Sequence, residues 1–437
     1  MGVFRFKRAP DLALEARWDK QANDLPLTDG LWRYSRPMRR GDPAQGWKIH
    51  IAATVLSASD VFARSAPILI ERDALFKIPA HLSLLSEINS GRAGFSQIGK
   101  FITVYTRSDA DAVGLARNLH AATRGLPAPE IPFDARYRRR GLVYYRYGAY
   151  ANGRKGTPAQ IVDYAGKAHL DRREPTRAIP SWRNDPFKNR PSNQKKMSGP
   201  FGLDFLVFKA FTRRGKGSVF EALELSTSPA RLVVIKQGKR HGDTDWNGED
   251  GYARVRREGR ILRVLQGAGI PVPKIFREFN YGGHRYLILE KICGRPLLPP
   301  TRQQPAKPSW RRALEILDKL GTELSKLHAA GWVWRDCKPS HIFVHRGTLR
   351  LIDFEGACRI NQTEALPWGS PNYVPPIYHG KFSRCPGTME DDYALGVIAF
   401  QFATGEFPPL SSRRRHALLH RSGCPGFLRV QIESLLR

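Results

Sequence analysis

The stretch "GWVWRDCKPSHIFV" (331–344), followed closely by "LRLIDFEGA" (349–357), limits what this chain can be more than any other. It places Asp336 in a loop, Lys338 two residues on, and Asp353 at the end of a strand-like run. A loop carboxylate, an adjacent cation and a second carboxylate form a set suited to moving a phosphoryl group. Asp336 would accept or orient the attacking hydroxyl, Lys338 would neutralise the γ-phosphate, and Asp353 would hold Mg²⁺ across the phosphates. The fold must therefore bring a loop and a strand end to one point.

Other parts of the same chemistry precede and follow in order. "TRRGKGSVFEAL" (212–223) is a glycine-rich turn between two strand-like segments. Gly215 and Gly217 would let the backbone approach phosphates, and Val219 would cover a base. "RLVVIK" ends in Lys236 on a β-rich run, and "RVRREGRILRVL" has helical spacing with Glu258 near its middle. A strand lysine paired with a helix glutamate would hold the α- and β-phosphates. "EDDYALGVIAF" opens an apolar helix with Asp391, a candidate anchor for the catalytic loop.

This ordered set, over 201–437, resembles the protein-kinase superfamily. The resemblance implies a bilobal domain (N-lobe 201–292, C-lobe 293–437 with an abbreviated end), a nucleoside triphosphate (ATP or GTP) and Mg²⁺. The sequence departs from the family's pattern at three places. The family's Asp-Phe-Gly reads Asp353-Phe354-Glu355-Gly356, its His-Arg-Asp histidine is Trp334, and its metal-binding Asn is His341. Asp353 and His341 are thus the metal candidates, and an imidazole is a poorer ligand than oxygen for a hard cation. A pseudokinase is the competing reading of this half.

The formal charge of +31 favours an anionic partner. No nucleic-acid reader motif is present, so nucleic acid is not the expected main partner. The five cysteines form no C-x-x-C pair, which excludes a disulfide framework and a zinc cluster of that kind. The N-terminus lacks the apolar core of a signal peptide, and no apolar run is long enough to cross a membrane. A cytoplasmic protein is the expectation.

The first half, 1–165, reads as mixed strand and helix. In "GWKIHIAATVL" (46–56) the alternation puts Trp47, Ile49 and Ile51 on one face and Lys48 and His50 on the other. "DADAVGLARNLHAATRG" (109–125) has helical spacing and a glycine stop. Residues 166–200, rich in Pro, Asn and Arg, read as a basic linker. Further cations stand at Lys77 in "ALFKIPAHL", Lys100 in "INSGRAGFSQIGKFITVYT", and Arg136 and Arg146 in "DARYRRRGLVYYRYGAY".

These motifs, over 34–150 and just ahead of a kinase-like domain, resemble the lyase domain of class III and class IV lanthipeptide synthetases, itself similar to bacterial phosphothreonine lyases. The shared features are K-x-H on a strand, a later F-K, "GKF" leading into "ITVY", and "RY…YRYGAY"; "DPF" (185–187) also looks like this family. The fold class implied is α+β: a phosphothreonine-lyase-like mixed α/β domain (1–165), the linker (166–200), then a bilobal kinase-like domain (201–437). The resemblance implies a class III type bifunctional enzyme that phosphorylates Ser or Thr of a ribosomal precursor peptide and eliminates the phosphate, giving dehydroalanine or dehydrobutyrine. Lys77 would be the base and His50 the acid, with Lys48, Lys100, Arg136 and Arg146 binding phosphate. A lysine base must be neutral, which neighbouring cations favour. The positive charge would suit an acidic leader on the peptide. Nothing in these residues resembles the family's cyclase domain, so a separate cyclase, a dehydrated product or a fragment all stay open. The alternatives are a Ser/Thr kinase whose basic N-terminal domain docks substrate, and a pseudokinase binding module.

Overall fold

The alternation around Lys48 and His50 forms an interior strand of a sheet whose two faces do different work. The structure, a computed structural model, describes residues 9–150, 159–172, 174, 178–187, 201, 204–363, 365, 368–378 and 385–437. The N-terminal sheet comprises β1 (Leu27–Thr28), β2 (Trp32–Tyr34), β3 (Gln45–Ile51), β4 (Leu75–Pro79), β5 (Ile102–Tyr105), β6 (Ala135–Arg136) and β7 (Val143–Ala149). Their order is β1-β2-β4-β5-β3-β7-β6, and every pairing is antiparallel. On one face Trp47, Ile49, Ile51, Phe76, Ile78, Ile102 and Val104 are buried against α2 (Ala58–Glu71) and α4 (Asp109–Thr123). Helix α4 starts at Ser108, whose hydroxyl accepts from Asp111 N at 3.2 Å, and stops before Gly125, which has φ 85°. Each large aliphatic side chain buried here stabilises the fold by roughly 1.5–3 kcal/mol.

Helices α1 (Ala9–Ala22) and α3 (Leu82–Ser90) pack nearby. Glu15 of α1 accepts from Leu82 N and Ser83 N at 2.9 and 2.8 Å, placing a carboxylate on the donor end of α3.

The segment read as a linker departs from that expectation. Strands β8 (Gln160–Val162) and β9 (Ala168–Leu170) pair with each other, Asp171 bonds Arg146 of β7, and Phe187 stacks on Tyr145 at 3.9 Å. Residues 168–187, where described, therefore belong to the N-terminal domain, with Phe187 in its core. Aromatic area repays the ordering of a Pro-rich segment that has no periodic pattern of its own. Residues 188–200 lie outside the described residues.

The second domain begins with a five-stranded antiparallel sheet in the order β10-β11-β12-β14-β13. Its strands are β10 (Phe205–Arg213), β11 (Ser218–Glu224), β12 (Arg231–Gly238), β13 (Ile275–Tyr281) and β14 (His284–Glu290). Helix α5 (Gly251–Gly267), capped by Asp250 accepting from Ala253 N at 2.8 Å, lies against it. A mostly helical lobe follows: α6 (Trp310–Ala329), α7 (Met389–Thr404), α8 (Ser412–Arg421) and α9 (Gly426–Leu435). Helix α7 is buried around nearly its whole circumference, as an apolar helix at the centre of a lobe must be. This is the bilobal kinase fold the sequence led us to expect.

The two domains touch through the kinase's first lobe. Gly215 N donates to Ser90 O at 3.1 Å, His284 lies 3.4 Å from Glu130, and Trp246 packs on the N-terminal core.

Candidate active sites

The strand register assembles the first site. One row of paired residues runs Tyr34–Lys77–Thr103–His50–Tyr144, and the next runs Leu75–Tyr105–Lys48–Arg146. Strands lie about 4.8 Å apart, so Lys77 and His50 are separated by two strand spacings, about 10 Å at the backbone. Their side chains converge on the sheet's second face. A cavity of about 300 Å³ opens there, lined by Lys48, His50, Lys77, Lys100 and Arg146 among others. Lys48, His50, Lys100 and Arg146 are all buried, and a cluster of cations this dense is costly without an anion to share.

Two carboxylates supply part of that compensation. Asp134 sits between His50 and Lys100, its oxygens 2.5 Å from His50 Nδ1 and 3.2 Å from Lys100 Nζ. Asp171 bonds Arg146. Burial first, and then the Lys100 charge, push the His50 pKa down to about 3 despite Asp134, so the imidazole is neutral at neutral pH. Burial would raise the Asp134 carboxyl, but Lys100 and His50 hold it well below the usual carboxylate range. With Nδ1 facing Asp134, the Nε2 edge of the ring is left for chemistry. Lys77 Nζ lies 3.9 Å from the Trp32 ring centroid, which fixes where that side chain can sit.

Arg136 is not with them. It lies at the far end of the first row, where it bonds Tyr144 and Glu130 at 2.7 and 2.8 Å, and the cavity does not include it. Its place in "RYRRRG" gave no register, and only the short β6–β7 pairing sets which way it faces. The sequence reading missed Asp134, although it stands in the quoted "DARYRRRG". It also missed Arg36, which lines the cavity and bonds Asp42 at 2.6 and 2.8 Å. An acidic residue in a basic stretch carries no signal until the fold sets it beside a histidine.

The second site lies between the kinase lobes, in a cavity of about 600 Å³ lined by Val219, Lys236, Glu258, Lys338, His341, Asp353 and Ser370. Lys236 Nζ bonds Glu258 at 2.6 and 2.9 Å and Asp353 at 2.9 Å. Burial would discharge this lysine, but the Asp353 and Glu258 carboxylates outweigh it and hold the ammonium charged. Lys338 Nζ donates to Asp336 at 2.9 Å and to the Ser370 hydroxyl at 2.9 Å, while that hydroxyl donates to Asp336 at 2.8 Å. Asp391 accepts from Trp334 N and Arg335 N at 2.8 and 2.7 Å and so fixes the loop carrying Asp336. Trp334 is fully buried, stacks on Phe354 at 5.2 Å, and donates to Asp353 O at 3.1 Å. Trp334→Ala is expected to cost about 3–5 kcal/mol through lost packing, read as a lower denaturation midpoint.

Asp336, His341 and Asp353 offer ligand atoms that all lie within 4.8 Å of one another. His341 Nδ1 lies 3.1 Å from Asp336 O, where its hydrogen bond leaves Nε2, 3.5 Å from Asp353, as the lone-pair nitrogen. Burial lowers the His341 pKa and keeps it neutral, the form that ligates. Two carboxylates and a neutral imidazole fit a divalent cation.

The glycines behave differently from the expectation. Gly215 N is spent on Ser90 O, Gly217 N donates to Arg214 O at 3.2 Å, and neither residue lines the cavity. Their small size serves close packing: a Cβ on Gly215 would lie 1.6 Å from Asn89 O, and one on Gly217, at φ 152°, 1.7 Å from Gln237 O. The reading also missed Ser370 and the partners of Glu355. Glu355 bonds Lys216 and lies 3.9 Å from Arg254.

Fold and site together define a protein kinase joined to an N-terminal α/β domain with a cationic cavity. Two family models match: the RamC N-terminal domain over residues 11–199 and the protein kinase domain over 213–426. A probable SapB synthase of Streptomyces coelicolor is 30% identical over 403 residues, which cover 88% of this chain and 42% of that protein. The serine/threonine-protein kinase PknA of Mycobacterium tuberculosis is 28% identical over 221 residues, 48% of each chain. The serine/threonine-protein kinase pkn2 of Myxococcus xanthus is 27% identical over 220 residues, 47% of this chain and 25% of that one. This chain thus spans about half or less of the length of these relatives. In its domain make-up it is a class III lanthipeptide synthetase-like protein, with a RamC N-terminal domain joined to a protein kinase domain.

Proposed function

We propose that this chain phosphorylates Ser or Thr of a ribosomal precursor peptide and then eliminates the phosphate, leaving dehydroalanine or dehydrobutyrine. Held by Lys338 and Ser370, which line the kinase cavity, Asp336 orients the peptide hydroxyl. Lys236, fixed by Glu258, takes the phosphates of ATP or GTP. Asp353, Asp336 and His341 would hold Mg²⁺, which when bound offsets the charge of the phosphate oxygens.

In the N-terminal cavity Lys48, Lys100 and Arg146 bind the phosphate dianion. Lys77 removes the α-proton, the electron pair of that C–H bond becomes the Cα=Cβ bond, and the Cβ–O bond breaks. His50 supplies the proton to the departing phosphate oxygen. The observation that carries this reading is the convergence of Lys48, His50, Lys77, Lys100 and Arg146 on one cavity. The five cysteines are all unpaired and no described helix is long and apolar enough to cross a membrane, which suits work in the cytoplasm beside the nucleotide pool. The peptide partner would carry an acidic leader matched to the charge of +31.

The test is intact-mass analysis of a phosphoserine peptide incubated with the full chain without nucleotide, beside Lys77→Ala. Loss of phosphoric acid with the wild type and none with the variant is expected. An unchanged mass with both would move the weight to a kinase with a basic docking domain.

A further inference from the structure

The tip of the glycine turn is bonded to both domains. Gly215 N donates to Ser90 O at 3.1 Å in the last turn of α3, so the contact comes from the other domain. Lys216 O accepts from Lys239 N at 2.8 Å. The Lys216 ammonium bonds the Glu355 carboxylate, two residues past Asp353. Arg257 of α5, next to Glu258, donates to Glu355 O at 2.9 Å. The Cβ that Gly215 lacks would lie 1.6 Å from Asn89 O, so no other residue admits this approach.

The far end of the chain of contacts is equally fixed. Asn89 is 1% exposed, donates from Nδ2 to Ala53 O at 2.9 Å and accepts at Oδ1 from Gly99 N at 3.2 Å. Ala53 follows the strand carrying Lys48 and His50, and Gly99 precedes Lys100. The turn that meets the kinase is thus built into the frame of the N-terminal cavity.

We propose that the last turn of α3 is a positioning element of the kinase's nucleotide site: it fixes the glycine turn, and through Lys216 and Glu355 it sets the Asp353 turn and α5. The inference rests on the nucleotide-binding reading of the interlobe cavity. Its consequence is that nucleotide affinity depends on the docked N-terminal domain, while elimination from a peptide already phosphorylated does not depend on Lys216, whose bonds to Glu355 and Lys239 lie within the kinase domain.

The experiment is equilibrium binding of a fluorescent ATP analogue, with Mg²⁺, to the full chain and three variants. Gly215→Ala drives a methyl into Asn89 O and must part the contact. It is expected to raise Kd about tenfold, within the ~5–150-fold range usual for coupled sites. Elimination from a phosphoserine peptide without nucleotide stays at the wild-type rate in Lys216→Ala, which leaves the Asn89 bonds to Ala53 and Gly99 in place. In Kd, Lys216→Ala is expected to match Gly215→Ala, and the double variant to be no worse than either alone, because both cut one connection. Phe95→Ala removes the ring that lies 5.3 Å from Lys239 Nζ across the domain contact and adds no atom, so it gives a smaller rise without a steric insult. Wild-type Kd in folded Gly215→Ala, or in Phe95→Ala should Gly215→Ala not fold, overturns the inference. So do effects of Gly215→Ala and Lys216→Ala that multiply in the double variant. A wild-type chain that does not bind the analogue overturns the nucleotide-site reading itself, a separate and visible failure.

Discussion

Asp336→Asn in the full chain is expected to cut phosphoryl transfer to a Ser/Thr peptide by about 10²–10⁴-fold, the usual weight of a general base, and to leave elimination from a pre-phosphorylated peptide unchanged. Asp336 is the carboxylate on which Lys338 and Ser370 converge, and the asparagine keeps their packing while losing the charge. The two cavities proposed for the half-reactions have no lining residue in common. Mixing Asp336→Asn with Lys77→Ala is therefore expected to restore full dehydration, since each protein supplies the step the other lacks. Mass spectrometry reads all three states of the peptide: unmodified, plus phosphate, minus water. Elimination lost in Asp336→Asn, with the fold intact, would show that the cavities do not work independently and would sink the two-step scheme.

The parts of this molecule that were legible in the sequence are those whose chemistry is local. "RDCKPS" and "LIDFEG" place Asp336, Lys338 and Asp353 by short-range backbone geometry, and the helix opening at Asp391 identifies the group that pins the loop. The face shared by Lys48 and His50 follows from strand alternation alone. What was not legible depends on register and on contacts far apart in the chain. Arg136 and Arg146 were both candidates for binding phosphate, but pairing with Lys48 puts Arg146 in the cavity, and pairing with Tyr144 leaves Arg136 beside Glu130 at the domain contact. Gly215 suggested a phosphate turn because glycine permits close approach. It does permit it, yet the partner is a carbonyl from another domain, which no local pattern announces. The Pro-rich segment 166–200 lacked periodicity, and its aromatic anchors Trp182 and Phe187 show their purpose only against Tyr145 and Tyr147.

Asp134→Asn is expected to lower elimination from a phosphoserine peptide by about 10²-fold or more, since losing the carboxylate that orients a catalytic histidine costs up to ~10⁴-fold elsewhere. The reasoning begins from a conflict. In the elimination proposed above His50 gives up a proton, yet its pKa in the unliganded cavity is pushed down to about 3, by burial first and then by Lys100. A neutral ring with its Nδ1 proton turned to Asp134 has none to give from Nε2. The phosphate dianion resolves this. Seated among Lys48, Lys100 and Arg146, it adds negative charge beside a group that was depressed partly by positive charge, and so raises the pKa of His50. Binding and protonation are then linked: phosphopeptide binding takes up a proton, and affinity falls as pH rises through the raised value. At pH 7.5 the phosphate is already almost wholly dianionic, so its own titration contributes little. Calorimetry in two buffers of different ionisation enthalpy reads the uptake directly. The wild type should take up a proton, and Asp134→Asn, whose amide cannot balance an imidazolium, should take up far less. A merely structural role for Asp134 would change stability and leave the proton count alone. No uptake in the wild type, or rapid elimination by Asp134→Asn, would remove His50 from the role of acid and leave the proton to come from water or from one of the phosphate-binding lysines.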